Sequence, residues 1–444
     1  MSGDRWQFWI DVGGTFTDCV ARRPDGTLVR TKLLSSGVTK GSVGQNSTAK
    51  QVASPVHEQP DNFWSGYQFQ LLNDDGSVVA QSIVASSSYE NRTLQLANAL
   101  DVLPQPGQTY ELTSGELAPI VALRMLLGLR LDQPIPSVAV RLGTTRGTNA
   151  LLTRNGARTA FVTTTGFGDI LRIGYQNRPR LFDLAIKKPR PLFEQSIEIQ
   201  ERVSADGEVL VAPNREEIRV QLQKLREDGI ESLAICLMHA YRQKQHEELL
   251  EQIAHEIGFQ EVSISSRVAP FIKIVSRGDT TVVDAYLTPV LREYVATLRR
   301  SLGATSELRL VTSVGGLNLA EQFSGKDSIL SGPAGGVVGF SRVAQAAGFQ
   351  RAIGFDMGGT STDVSRFDGR FELEYETEKA GVRIVTPMMA IETVAAGGGS
   401  VCWFDGVKLC VGPQSAGADP GPLCYGRGGP LTVTDANLMV GKLV

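Results

Sequence analysis

Apolar and polar residues alternate in short runs from the start of the chain, as they do in half-buried strands. Residues 6–34 read as three such strands, turning at Gly14 and at Asp25-Gly26, a pair that favours a hairpin. Gly37–Gln59 is rich in Gly, Ser, Thr and Gln and reads as linker. Phe63–Leu72, Val78–Val84 and Tyr110–Leu112 alternate again. The aromatics Phe63, Trp64, Tyr67, Phe69 and Tyr89 argue that 41–113 packs as a small β-rich insertion rather than a disordered excursion. Thr113-Ser-Gly-Glu116 has the form of a capping box opening a helix over Leu117–Leu127. Ser137–Arg141 and Thr159–Thr163 read as strands, separated by the polar turn Gly143–Asn149 and a helix ending near Gly156. That turn either binds an anionic group at a helix N-terminus or is simply a well-capped helix start.

Between 208 and 265 the period switches back and forth. Val209–Val211 is a strand, and Asn214 caps a helix with Ile218, Leu222 and Leu225 on one face, closed by Gly229. Ser232–Met238 is a continuous apolar run, as in a strand buried on both faces. His246–Ile257 is a helix with Leu249, Leu250, Ile253 and Ile257 aligned, closed by Gly258, and Glu261–Ile264 is the next strand. This alternation predicts an α/β arrangement with parallel strands. His239, His246 and His255 lie in or beside these elements without ligand spacing and read as surface or packing residues. Thr288-Pro289 has the form of an N-cap with Pro at the first helical position, predicting a helix to Leu302 that Gly303 ends. Leu308–Val311 is a strand, and Ser331–Gly339 opens a helix reaching Ala347 whose small residues allow a close helix crossing.

Length changes this picture: 444 residues exceed one core and imply two or three domains. A chain 42% hydrophobic and 20% charged is ordinary for a soluble globular protein, and a net charge of −3 gives no reason to expect nucleic acid. No apolar run approaches the ~18–20 residues of a membrane span; Ala118–Leu129 is interrupted by Arg124. The first strand begins too early for a signal peptide. The cysteines Cys19, Cys236, Cys402, Cys410 and Cys424 are odd in number and form no metal-like pair, which points to a reduced, cytoplasmic compartment.

The chemistry concentrates in one stretch that occurs twice. Asp11-Val-Gly-Gly-Thr-Phe-Thr-Asp18 is repeated as Asp356-Met-Gly-Gly-Thr-Ser-Thr-Asp363, each copy following an apolar run and preceding an Asp-Gly turn. A single copy is compatible with an ordinary Gly-Gly hairpin. Two copies suggest two similar halves facing each other around a nucleotide triphosphate. Gly13, Gly14, Gly358 and Gly359 let the backbone approach a ligand, and successive N–H groups there form anion-binding nests. Thr15, Thr17, Thr360, Ser361 and Thr362 add hydroxyls. Asp11 and Asp356 are repelled by phosphate and make sense as holders of one shared Mg²⁺. Asp18 and Asp363 either orient a water or cap the hairpins.

Such paired hairpins resemble the phosphate loops of the actin, sugar-kinase and heat-shock-ATPase superfamily. Longer stretches narrow the resemblance: Arg141–Leu152, Ile173–Pro179, Asp284–Pro289, Thr393–Ser400 and Gly412–Pro422. Together they resemble the hydantoinase A/oxoprolinase family, most closely ATP-dependent 5-oxoprolinases, over nearly the whole chain except 41–113. The resemblance implies an α/β fold of the actin-like ATPase (ribonuclease H-like) type with duplicated domains, a β-rich insertion and an incomplete second domain. It implies a first actin-like domain at 1–40 and 114–205, the insertion at 41–113, an α/β continuation at 206–304, and a hinge with the start of the second domain at 305–444. Ser331–Gly339 is the expected hinge. The Gly/Pro-dense loops 397–400 and 412–429 either touch nucleotide or substrate or only turn the chain.

The implied reaction is ATP-dependent opening of a cyclic amide, 5-oxo-L-proline to L-glutamate, by phosphorylation of the amide oxygen and attack by water. Thr144, Thr145 and Asn149 are catalytic candidates beside Asp11 and Asp356. Arg172 and Arg178 are candidates for the substrate carboxylate, whose two oxygens match a guanidinium fork, or else partners of structural carboxylates. Leu142 and Asp279 stand where relatives carry His, the first favouring the oxoprolinase branch, the second arguing against a general base there. A hydantoin or related cyclic imide is the near alternative. A non-hydrolytic actin-like ATPase acting on a partner protein is the distant one, and a sugar kinase would need a catalytic Asp between the hairpins, for which the sequence offers no convincing candidate. The implied partners are a B-type (hydantoinase B-like) half, fused or separate, and further copies of the chain in a homo-oligomer. The expectation for residues 1–444 alone is weak ATP binding, no 5-oxoprolinase activity and self-association.

Overall fold

The computed structural model describes residues 5–54, 58–176, 182, 184–186, 188–417 and 420–443. The chain divides into two compact units. The first is Met1–Asn149 with Val290–Leu310 and Leu317–Phe323; the second is Ala150–Pro289 with Val311–Gly316 and Ser324–Val444.

The first unit holds a six-stranded mixed sheet in the order Leu317–Leu319, Glu307–Val311, Ala139–Thr144, Gln7–Val12, Phe16–Arg22, Leu28–Leu34. Gln7–Val12 runs parallel to Ala139–Thr144, which runs parallel to Glu307–Val311, while the three N-terminal strands form an antiparallel meander. Phe8, Ile10, Leu142, Leu308 and Leu310 pack with the helix Ala118–Leu127 and with Leu291, Tyr294 and Leu298. The helix Ala118–Leu127 begins on Leu117 with Pro in its first turn and no side-chain cap. The predicted capping box does not form, because Thr113 ends a strand and Glu116 instead grips the buried Arg124 in two bonds of 2.8 and 2.9 Å. A bidentate pair is the stronger use of that carboxylate.

A second sheet of the first unit is antiparallel, in the order Thr39–Ser42, Thr109–Thr113, Gln68–Leu72, Val78–Ser88, Thr93–Leu96, Gln51–Ala53. Two of these strands occupy the stretch read as linker. Backbone pairing with 109–113 and 93–96 outweighs its polar composition, since β propensity largely reflects the neighbours a strand finds. Phe63, Trp64, Tyr67, Phe69 and Tyr110 form the core of this sheet, whereas Tyr89 is exposed. Phe63–Gly66 is a turn rather than the start of a strand.

The second unit holds a parallel sheet, Phe193–Ile199, Thr159–Thr164, Ser232–Cys236, Glu261–Ile264, against which the helices Arg215–Glu227 and Gln245–Ile257 pack. Asn214 Oδ1 accepts the N–H groups of Glu216 and Glu217 at 2.9 and 3.3 Å. His246 bonds Glu201 at 2.7 Å and His255 the Phe259 carbonyl at 2.9 Å, both packing roles.

The helix predicted from Thr288 begins much earlier and runs unbroken over Ile274–Ser301 with Pro289 inside it. An interior Pro costs ~3 kcal/mol. Burial of Val282, Val283 and Leu287 before it, and of Leu291, Tyr294 and Leu298 after it, outweighs that cost at roughly 1.5–3 kcal/mol per side chain. The Tyr286 carbonyl accepts from the Ala157 N–H at 3.0 Å, and Thr288 Oγ1 accepts from the Gly325 N–H at 3.0 Å instead of capping a helix.

The repeated motif forms a second hairpin, Ala352–Met357 with Thr362–Phe367, extended by Glu392–Val394 and backed by the helix Ser331–Ala346, whose Phe340 ring fills the space a Cβ on Gly354 would need. The two copies differ in burial. Phe8, Ile10 and Val12 are 0, 4 and 9% exposed, whereas Ile353, Phe355 and Met357 at the matching positions are 75, 69 and 40% exposed. Phe8→Ala should therefore lower unfolding free energy by ~3–5 kcal/mol, and Ile353→Ala by less than about 0.5 kcal/mol. Urea denaturation of the two variants checks this; equal losses would show that both copies are packed alike.

Candidate functional site

The first hairpin ends in a turn held from behind. Asp11 and Asp18 lie opposite each other across the ladder, and the Gly13 N–H donates to the Phe16 carbonyl at 3.0 Å. Ser35, just past the third strand, donates its hydroxyl to the Gly13 carbonyl at 2.7 Å and its N–H to the Thr15 carbonyl at 2.9 Å. The buried Thr17 hydroxyl lies 3.0 Å from Ser35 Oγ. Asp11, Gly14 and Thr15 are exposed, and a Cβ on Gly14 would meet nothing within 4 Å.

The second hairpin repeats this arrangement. Asp356 faces Asp363, the Gly358 N–H donates to the Ser361 carbonyl at 2.9 Å, and the buried Thr362 donates its hydroxyl to the Ala396 carbonyl at 2.6 Å. Asp356, Gly358, Gly359 and Thr360 are exposed, Ser361 is half-buried, and Gly359 has the same open space as Gly14. Thr17 and Thr362 thus brace the turns from beneath, while Thr15 and Thr360 are exposed and Ser361 is half-buried. Asp18 pairs with Lys32 at 2.7 Å, and Asp363 accepts from Thr393 at 2.7 Å, so both are engaged in holding the hairpins.

The triple glycine 397–399 packs directly on the second turn. Gly398 and Gly399 donate N–H groups to the Gly358 and Gly359 carbonyls at 2.8 and 2.7 Å. A Cβ on Gly397 would stand 2.7 Å from the Gly358 oxygen, and one on Gly399 2.9 Å from the Gly359 oxygen. This loop therefore supports the turn rather than merely reversing the chain.

Thr144 and Thr145 lie beside the first turn because the strand carrying them is parallel to Gln7–Val12. Gly143 registers with Asp11 and Thr144 with Val12. The Thr145 N–H and hydroxyl both donate to the Val12 carbonyl, at 3.1 and 3.2 Å. Thr144 is buried with its Oγ1 accepting the Arg146 N–H at 3.2 Å, and the exposed Asn149 donates to Thr145 Oγ1 at 3.2 Å. The carboxyl end of adjacent parallel strands is where α/β sheets bind ligands. Among the described residues no three His, Cys, Asp or Glu cluster so as to hold a metal on their own.

Arg172 belongs to the second unit, on the short helix Ile170–Ile173, its guanidinium 5.6 Å from the Phe193 ring centre. It lines a cavity of about 530 Å³ together with Tyr175, Lys188, Asp279, Glu378 and Arg383. Arg178 lies outside the described residues. Burial raises the Asp279 carboxyl to about 7, against the opposing pull of Arg383. Sequence reasoning missed Arg383, which sits in the hairpin Thr377–Lys379/Val382–Ile384 with no motif to mark it. Tyr175 stood inside a recognised stretch without being singled out.

Two family models match this chain. One, described as the Hydantoinase/oxoprolinase N-terminal region, matches residues 7–61 and 106–258; the other, described as Hydantoinase/oxoprolinase, matches 277–444. The first skips 62–105, which lies within the antiparallel sheet. A 5-oxoprolinase of Saccharomyces cerevisiae is 44% identical over 367 residues, 74% of this chain and 28% of that protein. The 5-oxoprolinase 1 of Arabidopsis thaliana is 43% identical over 360 residues, again 74% and 28%. The caprolactamase subunit alpha of Pseudomonas jessenii is 34% identical over 314 residues, 68% of this chain and 45% of that subunit. The chain thus spans between about a quarter and a half of the length of these relatives. Among solved structures, the ATP-dependent caprolactamase from Pseudomonas jessenii matches with a TM-score of 0.64 and 26% identity over 99% of this chain and 55% of that one. A nucleotide-free acetone carboxylase matches with a TM-score of 0.65 at 19% identity over 99% of this chain and 55% of that one, a likeness of fold.

The glycine contacts make a direct test. Gly397→Ala forces a Cβ against backbone oxygen and should cost about 1–3 kcal/mol of stability. Gly14→Ala and Gly359→Ala place theirs in open space and should change stability by less than about 0.5 kcal/mol. Thermal unfolding of the three variants distinguishes supporting glycines from those free to meet a ligand.

Proposed function

We propose, for a chain that belongs to the hydantoinase/oxoprolinase family, that it forms the nucleotide-handling part of an enzyme that opens a cyclic amide at the expense of ATP, with 5-oxo-L-proline converted to L-glutamate. The observation that carries this reading is the pair of hairpins with matching registers, matching N–H···O=C turns and matching open glycines. Phosphoryl transfer asks a protein mainly for positioning and charge stabilisation, and backbone nests supply both. In this reading Gly13, Gly14 and Thr15, with Gly358, Gly359, Thr360 and Ser361, take the phosphates, while Thr17 and Thr362 hold the turns in shape. Asp11 and Asp356 hold Mg²⁺, which neutralises phosphate charge when bound. Mg²⁺ is commonly held by one or two carboxylates plus substrate phosphates, and two exposed carboxylates, with no cluster of three among the described residues, fit that mode better than a closed protein cage. Thr144, Thr145 and Asn149 act beside the first turn, and Arg172 and Arg178 serve the lactam.

The reading extends to an actin-like duplicated arrangement with domains at 1–40 and 114–205, 206–304 and 305–444, the 41–113 insertion, and a hinge at 331–339. It also extends to a B-type partner half, a homo-oligomer and a cytoplasmic location. Among the described residues no helix is long and apolar enough to cross a membrane. A second reading, in which another cyclic amide is the substrate, draws support from the caprolactamase subunit alpha at 34% identity.

Release of ADP and phosphate by the complete protein, with 5-oxoproline, hydantoin and caprolactam compared, tests both readings. Stimulation by a hexose or a protein client instead of any lactam would sink them. Asp11→Asn and Asp356→Asn should each lower Mg·ATP turnover by roughly 10²-fold or more, and the double variant little further, because residues acting as a unit are non-additive. Strictly multiplicative losses would mean two independent sites. With Ile353 and Phe355 exposed, the chain should self-associate through the face that carries them. Light scattering checks this, and a monodisperse monomer would overturn it.

A further inference from the structure

The cavity entered by Arg172 lies wholly within the second unit, and the nucleotide chemistry proposed above makes no use of its other charged groups. Asp279, on the early turns of the long helix, presents a carboxyl oxygen 3.9 Å from an Arg383 terminal nitrogen. That is beyond hydrogen-bond reach, so the two groups face each other across a gap instead of closing on it. Arg383 is held from other directions. Its guanidinium lies over the Tyr175 ring at 4.2 Å, and its Nε is 3.1 Å from Glu376. Tyr175 is fixed in turn by a 2.7 Å hydrogen bond with Ser276 on the long helix. A guanidinium positioned in this way is ready to receive a ligand without first reorganising.

The other charged groups facing the space are Arg172 from the short helix, Lys188 and Arg190 from the segment before Phe193, and Glu378 from the hairpin that carries Arg383. Burial raises the Asp279 carboxyl to about 7, with Arg383 opposing and Glu378 assisting. With Asp279 protonated the cavity holds more cationic than anionic groups, which favours an anionic ligand. A volume of about 530 Å³ is in the usual range for a small-molecule site.

We propose that this cavity takes a small cyclic amide bearing a carboxylate, that Arg383 holds the carboxylate, and that Asp279 delivers a proton to the ring nitrogen as the ring opens. The proton step rests on the lactam-opening reading; the binding step does not. The guanidinium fork matches the two carboxylate oxygens. A bound carboxylate adds negative charge near Asp279 and makes it hold its proton more tightly, so the loaded site presents an acid at neutral pH. On opening, the ring C–N bond breaks, its electron pair stays on nitrogen, and nitrogen takes the Asp279 proton, leaving a carboxylate. The ring carbon, by then bearing the phosphate from ATP and a hydroxyl from water, re-forms its carbonyl from that hydroxyl. The hydroxyl proton passes to solvent, and a second water hydrolyses the acyl phosphate.

Two probes separate the site from the reaction: 5-oxo-L-proline, and 2-pyrrolidinone, the same ring without the carboxylate. In NMR titrations of the chain, Arg383→Gln should weaken 5-oxoproline binding by about 10- to 100-fold and leave 2-pyrrolidinone unaffected. The Asp279 carboxyl carbon, assigned by its loss in Asp279→Asn, should titrate near 7 and higher with 5-oxoproline bound. In the complete protein, kcat/KM for lactam-driven ATP cleavage should fall as pH rises through that value. Asp279→Asn should lose ~10²-fold or more below it and abolish the fall, whereas Asp279→His, which keeps a titrating group, should restore a pH-dependent limb. Equal weakening of both probes by Arg383→Gln, or an unchanged rate and pH profile in Asp279→Asn, overturns the proposal. Arg383-dependent 5-oxoproline binding with no lactam-driven ATP cleavage would sink the proposed reaction and leave the site standing. Lactam-driven cleavage without such binding would sink the site alone.

Discussion

A turn that offers its N–H groups to a ligand cannot also use them to hold itself together. Under the proposed phosphate-binding reading, that constraint falls on both repeated hairpins. Each turn retains one internal bond, Gly13 to Phe16 and Gly358 to Ser361, and takes the rest of its support from behind. In the first copy the support comes from Ser35 and Thr17; in the second it comes from Thr362, Ala396 and the triple glycine 397–399. The supports differ chemically but do the same thing, occupying carbonyl oxygens of the turn. Free carbonyl oxygens would repel a phosphate, so their capture suits the role proposed for the turns.

The same economy of backbone approach governs the second unit. A Cβ on Gly278 would come within 2.8 Å of Leu171, and one on Gly381 within 2.7 Å of Pro189. Small residues at these points bring the long helix, the Arg172 helix and the Arg383 hairpin close enough to enclose one cavity. Enclosure is also what lifts the Asp279 carboxyl, since desolvation disfavours its charged form more than Arg383 favours it. Packing and proton affinity therefore have one cause here. The continuity of the helix through Pro289 belongs with this, because the stretch that places Asp279 begins fifteen residues before the proline.

Most of this was legible in the sequence where the signal was local. The paired motifs, the three N-terminal strands, the Asn214 cap and the buried strand Ser232–Cys236 all follow from periodicity and turn chemistry. What was misread depended on partners distant in sequence. Gly37–Gln59 becomes strand only because residues 109–113 and 93–96 supply ladders. Thr288-Pro289 imitates a helix start so well that only burial on both sides of it reveals the longer helix. The site divides in the same way. Asp11, Gly13 and Thr144 are found by motif and by parallel register, whereas Arg383 is brought to Asp279 by folding across more than a hundred residues with nothing local to mark it. The hydroxyls of Thr17 and Thr362 were assigned with the rest of the repeated motif to the phosphates, yet both side chains are buried, Thr17 by strand alternation between the exposed Phe16 and Asp18.

The repeat finally shows why a motif alone does not determine its surroundings. Hydrogen-bond register and turn geometry agree between the copies to within a tenth of an ångström in the Gly-to-carbonyl bond, 3.0 against 2.9 Å. Burial does not agree, because backbone pairing depends on the hairpin itself while burial depends on what is laid over it. In the first copy the strand Gln7–Val12 has a parallel neighbour on one edge and a helix-covered face. In the second, Ala352–Met357 is an edge strand whose apolar residues Ile353 and Phe355 remain in solvent, while the helix Ser331–Ala346 packs on the opposite face at Gly354. An apolar alternation retained on an uncovered face still carries the cost of exposure. The geometry of the second turn is therefore set locally, by its own ladder and by the glycines of 397–399, and does not depend on the cover that the first copy has.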